Sequence, residues 1–214
     1  MTPLFPTPPL TVIDRPADAA HHTKGRGGFA AMCIVLHHTA GIDSLKWLST
    51  ASSPSVSCHR LINKAGTIYK IVPDEDTAYC AGFGIIGPID PDANDPAGIA
   101  RNLNFVSLNI ELENLGNGND PYPAAQLQSC AAQIVEWWGK YGLLPILYHK
   151  HVDANKNDPR GLDRADLDRR ILTLLPQTGP DTTIALSGAR RWGHEQSQPR
   201  SRRLRPMKAK VKNE

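Results

Sequence analysis

The sequence has no apolar run approaching the ~18 residues that a membrane-spanning helix requires. Met1 to Leu10 is rich in proline and threonine and lacks the charged start and apolar core of a signal peptide, so synthesis in the cytoplasm is expected. Cysteine is sparse: Cys33, Cys58, Cys80 and Cys130 form no C-x-x-C pair, and at least Cys33 and Cys130 sit in apolar patterns. Buried thiols are the expectation, rather than a disulfide framework. No internal repeat is visible.

What is present is a chain of 214 residues with 40% hydrophobic and 21% charged residues, the composition of a soluble globular protein. That length accommodates one domain with a sizeable core plus extensions. The net charge of +3 is unevenly placed: Ser187 to Glu214 holds nine Lys/Arg against two Glu, a net +7, which leaves residues 1–186 at −4. Those nine cations come with no aromatic residue beyond Trp192, so the stretch has no base-reading signature, and no specific nucleic acid is expected as a partner.

Residues 1–28 begin with five prolines in the first sixteen positions and read as an irregular arm. The run Met32-Cys33-Ile34-Val35-Leu36 ends abruptly in His37-His38-Thr39-Ala40-Gly41 and predicts a strand buried on both faces. Adjacent strand side chains point to opposite faces, so only one of His37 and His38 can face a given site. Ser44 to Leu48 predicts a short helix, and Val56–Ile62 and Thr67–Val72, joined by Asn63-Lys64-Ala65-Gly66, predict a hairpin. Phe83 to Asn104, dense in Gly, Pro, Asp and Asn, reads as a long rim loop. Val106 to Glu113 alternates apolar and polar for eight residues, with Ser107, Asn109, Glu111 and Glu113 on the polar face. Ala124 to Tyr141 has helical spacing closed by Gly142, Pro145 to Tyr148 is a short strand ending at His149, and Asp163 caps a last helix that Pro176 stops. The fold expected is a single α/β domain over residues 29–176, a central mixed sheet of about five strands flanked by helices, followed by a basic, flexible tail at 177–214.

Two strands thus deliver His37 and His149 at their C-terminal ends, and the loop beyond carries His151, Asp153, Lys156 and Asp158. Two histidines and a carboxylate match the ligand count of catalytic zinc, which keeps a fourth position for water. Such chemistry also needs a carboxylate base, and Glu111 stands on the polar face of a rigid strand.

Four stretches then carry a resemblance, in the same order along the chain: Ile34-Val35-Leu36-His37-His38-Thr39-Ala40-Gly41; Val56-Ser57-Cys58-His59-Arg60-Leu61-Ile62 with Gly66-Thr67-Ile68-Tyr69; Ser107-Leu108-Asn109-Ile110-Glu111-Leu112-Glu113; and His149 through Asn157-Asp158-Pro159. Over Met32 to Pro176 the chain resembles the type 2 N-acetylmuramoyl-L-alanine amidases, a family of phage endolysins, bacterial wall-recycling amidases and peptidoglycan recognition proteins. The resemblance implies zinc (Zn2+) on His37, His149 and Asp158, with Glu111 as general base, Lys156 at the oxyanion and His59 lining the substrate cleft. It implies peptidoglycan as substrate, hydrolysed between N-acetylmuramic acid and L-alanine. A monomer is expected; lacking a signal-peptide pattern it would reach the wall after membrane permeabilisation, and the cations of the basic tail suit contact with anionic wall polymers or the membrane. Two departures stand out: the loop from His149 to Asp158 is one residue shorter than the common aspartate-type pattern, which sets His151 beside His149 as an alternative ligand. Cys58 occupies the place of a tyrosine found in some phage members, and a fourth, soft ligand is the alternative reading for it.

Overall fold

The computed structural model describes residues 10–50, 55–86 and 99–175. In chain order the elements are β1 (Val12–Asp14), a 3-10 turn (Ala19–His21), β2 (His22–Thr23), β3 (Cys33–His38), α1 (Leu45–Ser49), β4 (Arg60–Ile62), β5 (Ile68–Lys70), β6 (Thr77–Ala78), β7 (Phe83–Ile86), β8 (Ile99–Asn102), a second 3-10 turn (Leu103–Phe105), β9 (Ser107–Leu112), α2 (Ala124–Tyr141), β10 (Ile146–Tyr148), α3 (His149–Val152) and α4 (Arg164–Leu174). The central sheet has six strands in the order β1-β5-β4-β9-β3-β10. Strands β4, β9, β3 and β10 run parallel to one another, whereas β5 is antiparallel to β4 and carries β1 alongside it in parallel. The mixed α/β class is as expected. The sixth strand comes from β1, within the stretch whose prolines read as an irregular arm: its three residues pair with Ile68, Tyr69 and Lys70.

The sheet separates two unlike faces. Ile34 and Leu36 of β3, Leu108, Ile110 and Leu112 of β9, and Ile146 and Tyr148 of β10 point to one side, where Leu127, Ala131, Ile134 and Trp138 of α2 and Leu167 and Ile171 of α4 close over them. The 3.6-residue spacing of α2 places that apolar stripe against the sheet, and Gly142 ends the helix by donating its N–H to the Trp138 carbonyl. Asp163 caps α4 through hydrogen bonds from the Ala165 and Asp166 amides, as its sequence pattern predicts. In the β4–β5 hairpin, Gly66 takes φ +86, and a Cβ there would lie 2.7 Å from the Ala125 carbonyl oxygen, so the turn can meet the start of α2 only as glycine.

The opposite face is where polar chemistry gathers. Cys33 and Val35 pack there with Ala81, Leu103, Val106 and Leu147, and the next residue of that face along β3 is His37. On β9 the same face carries Ser107, Asn109 and Glu111, all buried. The β7–β8 ribbon covers part of this side. It replaces the two ends of the rim loop expected from Phe83 to Asn104; residues 87–98 of that loop, the Ser/Pro residues 51–54, Pro176 and the basic tail lie outside the described residues. All four cysteines are thiols, as expected, and Cys33, Cys58 and Cys130 are buried.

His59 does not line a cleft, contrary to the sequence expectation. It is 0% exposed, its Nδ1 accepts the Asn109 amide proton at 3.0 Å and its Nε2 lies 3.2 Å from the Asp76 carbonyl. It stands immediately before β4, with its amide donating to the Asn109 carbonyl of β9, and Arg26 approaches it from the N-terminal stretch while bonding the carbonyls of Asp74 and Ser107. Burial, together with the neighbouring Arg26 charge, lowers its pKa to about 3. The folded state therefore holds His59 neutral at pH values where the unfolded chain, at its ordinary 6.5, is protonated. Stability should fall by about 1.4 kcal/mol per pH unit from this group as pH drops from 6.5 towards 3. Urea denaturation of wild type and His59→Gln over that range is expected to give a difference that narrows with acidification; a pH-independent difference would rule the linkage out.

Candidate metal centre

Three parallel strands place the site. Registered pairing sets His37 of β3 opposite Glu111 of β9, and β10, on the other side of β3, delivers His149 immediately beyond Tyr148. The carboxyl ends of parallel strands are the usual ligand edge of an α/β sheet, because the chain leaves there in loops of independent shape. The loop after the short helix α3 brings Asp158 back over that edge, with the Lys150 amide donating to the Asp158 carbonyl at 3.0 Å.

His37 Nδ1, His149 Nδ1 and Asp158 Oδ2 form a near-equilateral triangle: the two nitrogens are 3.0 Å apart, and the carboxylate oxygen is 3.1 and 3.0 Å from them. The far nitrogen of each ring faces an acceptor, Asn109 Oδ1 at 3.0 Å for His37 and the Ala81 carbonyl at 3.2 Å for His149. An acceptor at Nε2 holds the ring proton there, so each neutral ring turns a bare Nδ1 lone pair into the triangle. Two lone pairs and a carboxylate oxygen at this separation repel one another, and a cation at their centre removes the repulsion. The donor set of two imidazoles and one carboxylate suits zinc, with acceptor partners behind both imidazoles as metal-binding histidines generally have. All three residues are at most 8% exposed.

Charge in the site is unevenly shared. Burial would raise Asp158, but a ring proton turned towards it by His149 or His37 outweighs that and holds the carboxyl well below the usual range, and a cation would take that place when both Nδ1 atoms are bare. Burial lowers His37, keeping the ring neutral. Glu111 moves the other way, to about 8, through burial and the Asp158 charge, only partly offset by a contact with Cys80 and by Lys156. Its Oε2 is buried without a hydrogen-bond partner among the described residues, while Oε1 lies 3.6 Å from Cys80 Sγ. A cleft of ≈ 370 Å³ opens onto this group, with Trp47 and Tyr79 on one wall and Asn155 and the exposed Lys156 on another.

Of the residues singled out in sequence, His37, His149, Asp158, Glu111 and Lys156 meet at this cleft. His151 does not: its ring stacks on Tyr148 at 5.1 Å, and burial beside Lys150 and Arg164 lowers it to about 4. Cys58 is fully buried under Leu48 and Leu61, where it meets the Glu111 main chain and not the triangle; the cysteine whose thiol approaches the Glu111 carboxyl is Cys80, on a segment between β6 and β7 with no sequence pattern to mark it. His38 faces the other way along β3, where its Nδ1 accepts the Arg160 amide at 3.0 Å and so anchors the loop two residues beyond Asp158. Gly116, at φ +69, lies so close to that ring that a Cβ would be 2.6 Å from Nε2. Asn109 was visible only as one more polar residue in the alternation of β9.

Comparisons with known proteins bear on the fold and the family. Solved structures that superpose on the chain include an AmpD selenomethionine derivative (21% identity, TM-score 0.62, covering 78% of this chain and 98% of that one). Another is the N-acetylmuramyl-L-alanine amidase AmiD from E. coli, in complex with anhydro-N-acetylmuramic acid-L-Ala-D-gamma-Glu-L-Lys (21%, 0.54, 81% and 80%). A third is the Ph2119 endolysin from a Thermus scotoductus bacteriophage (16%, 0.51, 75% and 98%). At such identities these likenesses establish the fold. No curated protein matches the chain by sequence. The family model for N-acetylmuramoyl-L-alanine amidase, however, matches residues 29–161, more than half of the chain and every residue of the triangle, and the protein belongs to that family.

Proposed function

We propose that the protein uses a zinc ion held by His37, His149 and Asp158 to hydrolyse the amide between the lactyl group of N-acetylmuramic acid and L-alanine in peptidoglycan, and that it does so as a phage-type lytic enzyme acting on polymeric wall. The observation that carries the zinc reading is the convergence of two bare Nδ1 atoms and one carboxylate oxygen at 3.0–3.1 Å, beside a buried glutamate with an unpartnered oxygen. The lytic reading is supported by the nine cations of Ser187 to Glu214, suited to anionic wall polymers or a membrane surface.

Bound at the triangle, zinc supplies Lewis acidity towards the scissile carbonyl and towards water. The chain's own residues do the rest. Glu111, which lines the cleft and whose Oε2 has no hydrogen-bond partner among the described residues, takes a proton from the attacking water as its oxygen bonds to the lactyl carbonyl carbon. As the C–N bond breaks, the same carboxyl delivers that proton to the leaving L-alanine nitrogen, so one water is consumed and a carboxyl and an amine result. Lys156, exposed on the cleft wall, supports the negative charge that develops on the carbonyl oxygen. The tight burial of His37, His149 and Glu111 keeps bulk water from the reacting atoms.

A non-catalytic peptidoglycan-binding module is the rival, and the presence of Glu111 and Lys156 beside a complete ligand triangle counts against it. Glu111→Ala is expected to retain stoichiometric zinc and lose activity by ~10²–10⁴-fold, the usual worth of a general base. Wild-type protein that carries zinc and binds purified wall without releasing peptide would establish the rival instead. His37→Ala or Asp158→Ala should abolish tight zinc binding, and chelation of the wild type should lower its melting temperature, since a ligand bound only to the folded state stabilises it.

The lytic and recycling readings part on substrate. Intact sacculi should be cut faster than soluble muropeptides, and removal of residues 187–214 should slow lysis at low salt while leaving muropeptide cleavage unchanged. Preference for soluble muropeptides, with no effect of the deletion, would assign the protein to recycling.

A further inference from the structure

We infer that Ser107 and Asn109 form a relay that sets the tautomer of His37, and through it the affinity of the triangle for its metal. The inference rests on the zinc reading above and adds two positioning residues to it. Its direction is fixed at the far end. The main-chain carbonyl of Leu103 can only accept, so the 2.7 Å contact from Ser107 Oγ uses the one proton that hydroxyl has. Ser107 Oγ must then accept in its close contact with Asn109, which makes the partner at 2.9 Å the amide Nδ2. A second contact from Nδ2, to the Ser107 carbonyl at 3.5 Å, has the same sense. The approach of Ser107 Oγ to Asn109 Oδ1 is longer, 3.3 Å, and the hydroxyl has no second proton for it.

With Nδ2 turned to Ser107, Oδ1 is turned to His37 Nε2, 3.0 Å away. An amide oxygen accepts, so Nε2 keeps the ring proton and Nδ1 is left bare, facing His149 and Asp158. The reverse amide orientation would set two N–H donors against each other or drive the ring proton onto Nδ1, where it would occupy the metal position. Ser107 and Asn109 are both 0% exposed, so water cannot substitute for either partner. The main chain of the relay is pinned as well: the Asn109 amide donates to His59 Nδ1, and the Ser107 carbonyl accepts from Arg26 Nη1. Arg26 and His59 are thereby connected to the site they do not touch.

Wild type, Asn109→Leu and Ser107→Ala, each stripped of metal, decide the matter with two readouts. Zinc dissociation constants, by competition with a chromophoric chelator, should rise ~10–100-fold for Asn109→Leu and by a smaller factor for Ser107→Ala. Imidazole nitrogen NMR of the metal-free wild type, above the titration range of an ordinary histidine and with His37 assigned from His37→Gln, should find the proton on Nε2; in Asn109→Leu the two tautomers should mix. A wild-type ring protonated at Nδ1, or zinc affinities of both variants within about twofold of wild type, would overturn the relay. Should Asn109→Leu fail to fold, Ser107→Ala and the wild-type spectrum still decide. Wild type that binds no zinc would defeat the zinc reading itself, whereas the tautomer, measured without metal, still tests the relay.

Discussion

The site is built around an arrangement that is unfavourable on its own: two neutral imidazole lone pairs and a carboxylate oxygen held about 3 Å apart in a nearly dry pocket. Removing these groups from water costs free energy, and nothing among the described residues compensates by donating into the triangle. The surroundings must therefore hold the rings in place. Three parallel strands do so, because their register is specified by the opposite face of the same sheet. A slip of one residue in β3 would turn His37 under α2 and bring Leu36 to the cleft, burying a polar ring in the main core and exposing an apolar side chain. The packing of Ile34, Leu36, Leu108 and Ile110 against α2 thus fixes where the members of the triangle stand.

Support on the polar face comes from hydrogen bonds with fixed sense rather than from bulk. Arg26 donates to the Ser107 carbonyl, the Asn109 amide donates to His59 Nδ1, and the Asn109 side chain reaches His37. Buried polar networks of this kind are costly when one member is missing, because each remaining donor or acceptor is left without water. The stretch before β3, which has little apolar surface of its own, earns its place in the fold through Arg26 and through the pairing of β1 with β5.

Much of this was legible in the sequence where a local period declared it. The alternation of Val106 to Glu113 located β9 and the face bearing Glu111; the helical spacing of Ala124 to Tyr141 gave α2 to the residue; the apolar runs ending at His37 and Tyr148 gave the two strands that deliver histidines. The resemblance of the loop to Asp158 brought in the third member of the triangle. What was not legible depends on pairings between distant segments. Val12 to Asp14 is three residues long with no alternation of its own, and only β5 makes it a strand. His59 could be assigned to a strand but not to a depth, since its burial depends on Arg26 and Asp76, 33 and 17 residues away. Cys80 stands in a segment without a pattern, and its approach to Glu111 is a property of how that segment crosses β9. Asn109 looked like one polar residue among four, and its role follows from which atom of the His37 ring it faces.

The two carboxylates of the site divide its work by environment alone. Both are buried, and burial by itself would favour the protonated form of each. Asp158 is drawn the other way by ring protons of the two imidazoles against it, or by a cation at the triangle once both Nδ1 atoms are bare, and either holds it as an anion. Glu111 has only a thiol at 3.6 Å and a cation at the rim, and the negative charge of Asp158 acts on it as well, so it binds a proton readily. A pair of like groups driven in opposite directions is the arrangement that separates a charge-holding role from a proton-carrying one. Cation binding at the triangle would offset the Asp158 charge felt by Glu111 and shift it towards the ionised form that can accept a proton from water. On the proposed mechanism the base would thus be made ready by the same event that completes the metal centre, which couples the 3 Å triangle to the Glu111 carboxyl.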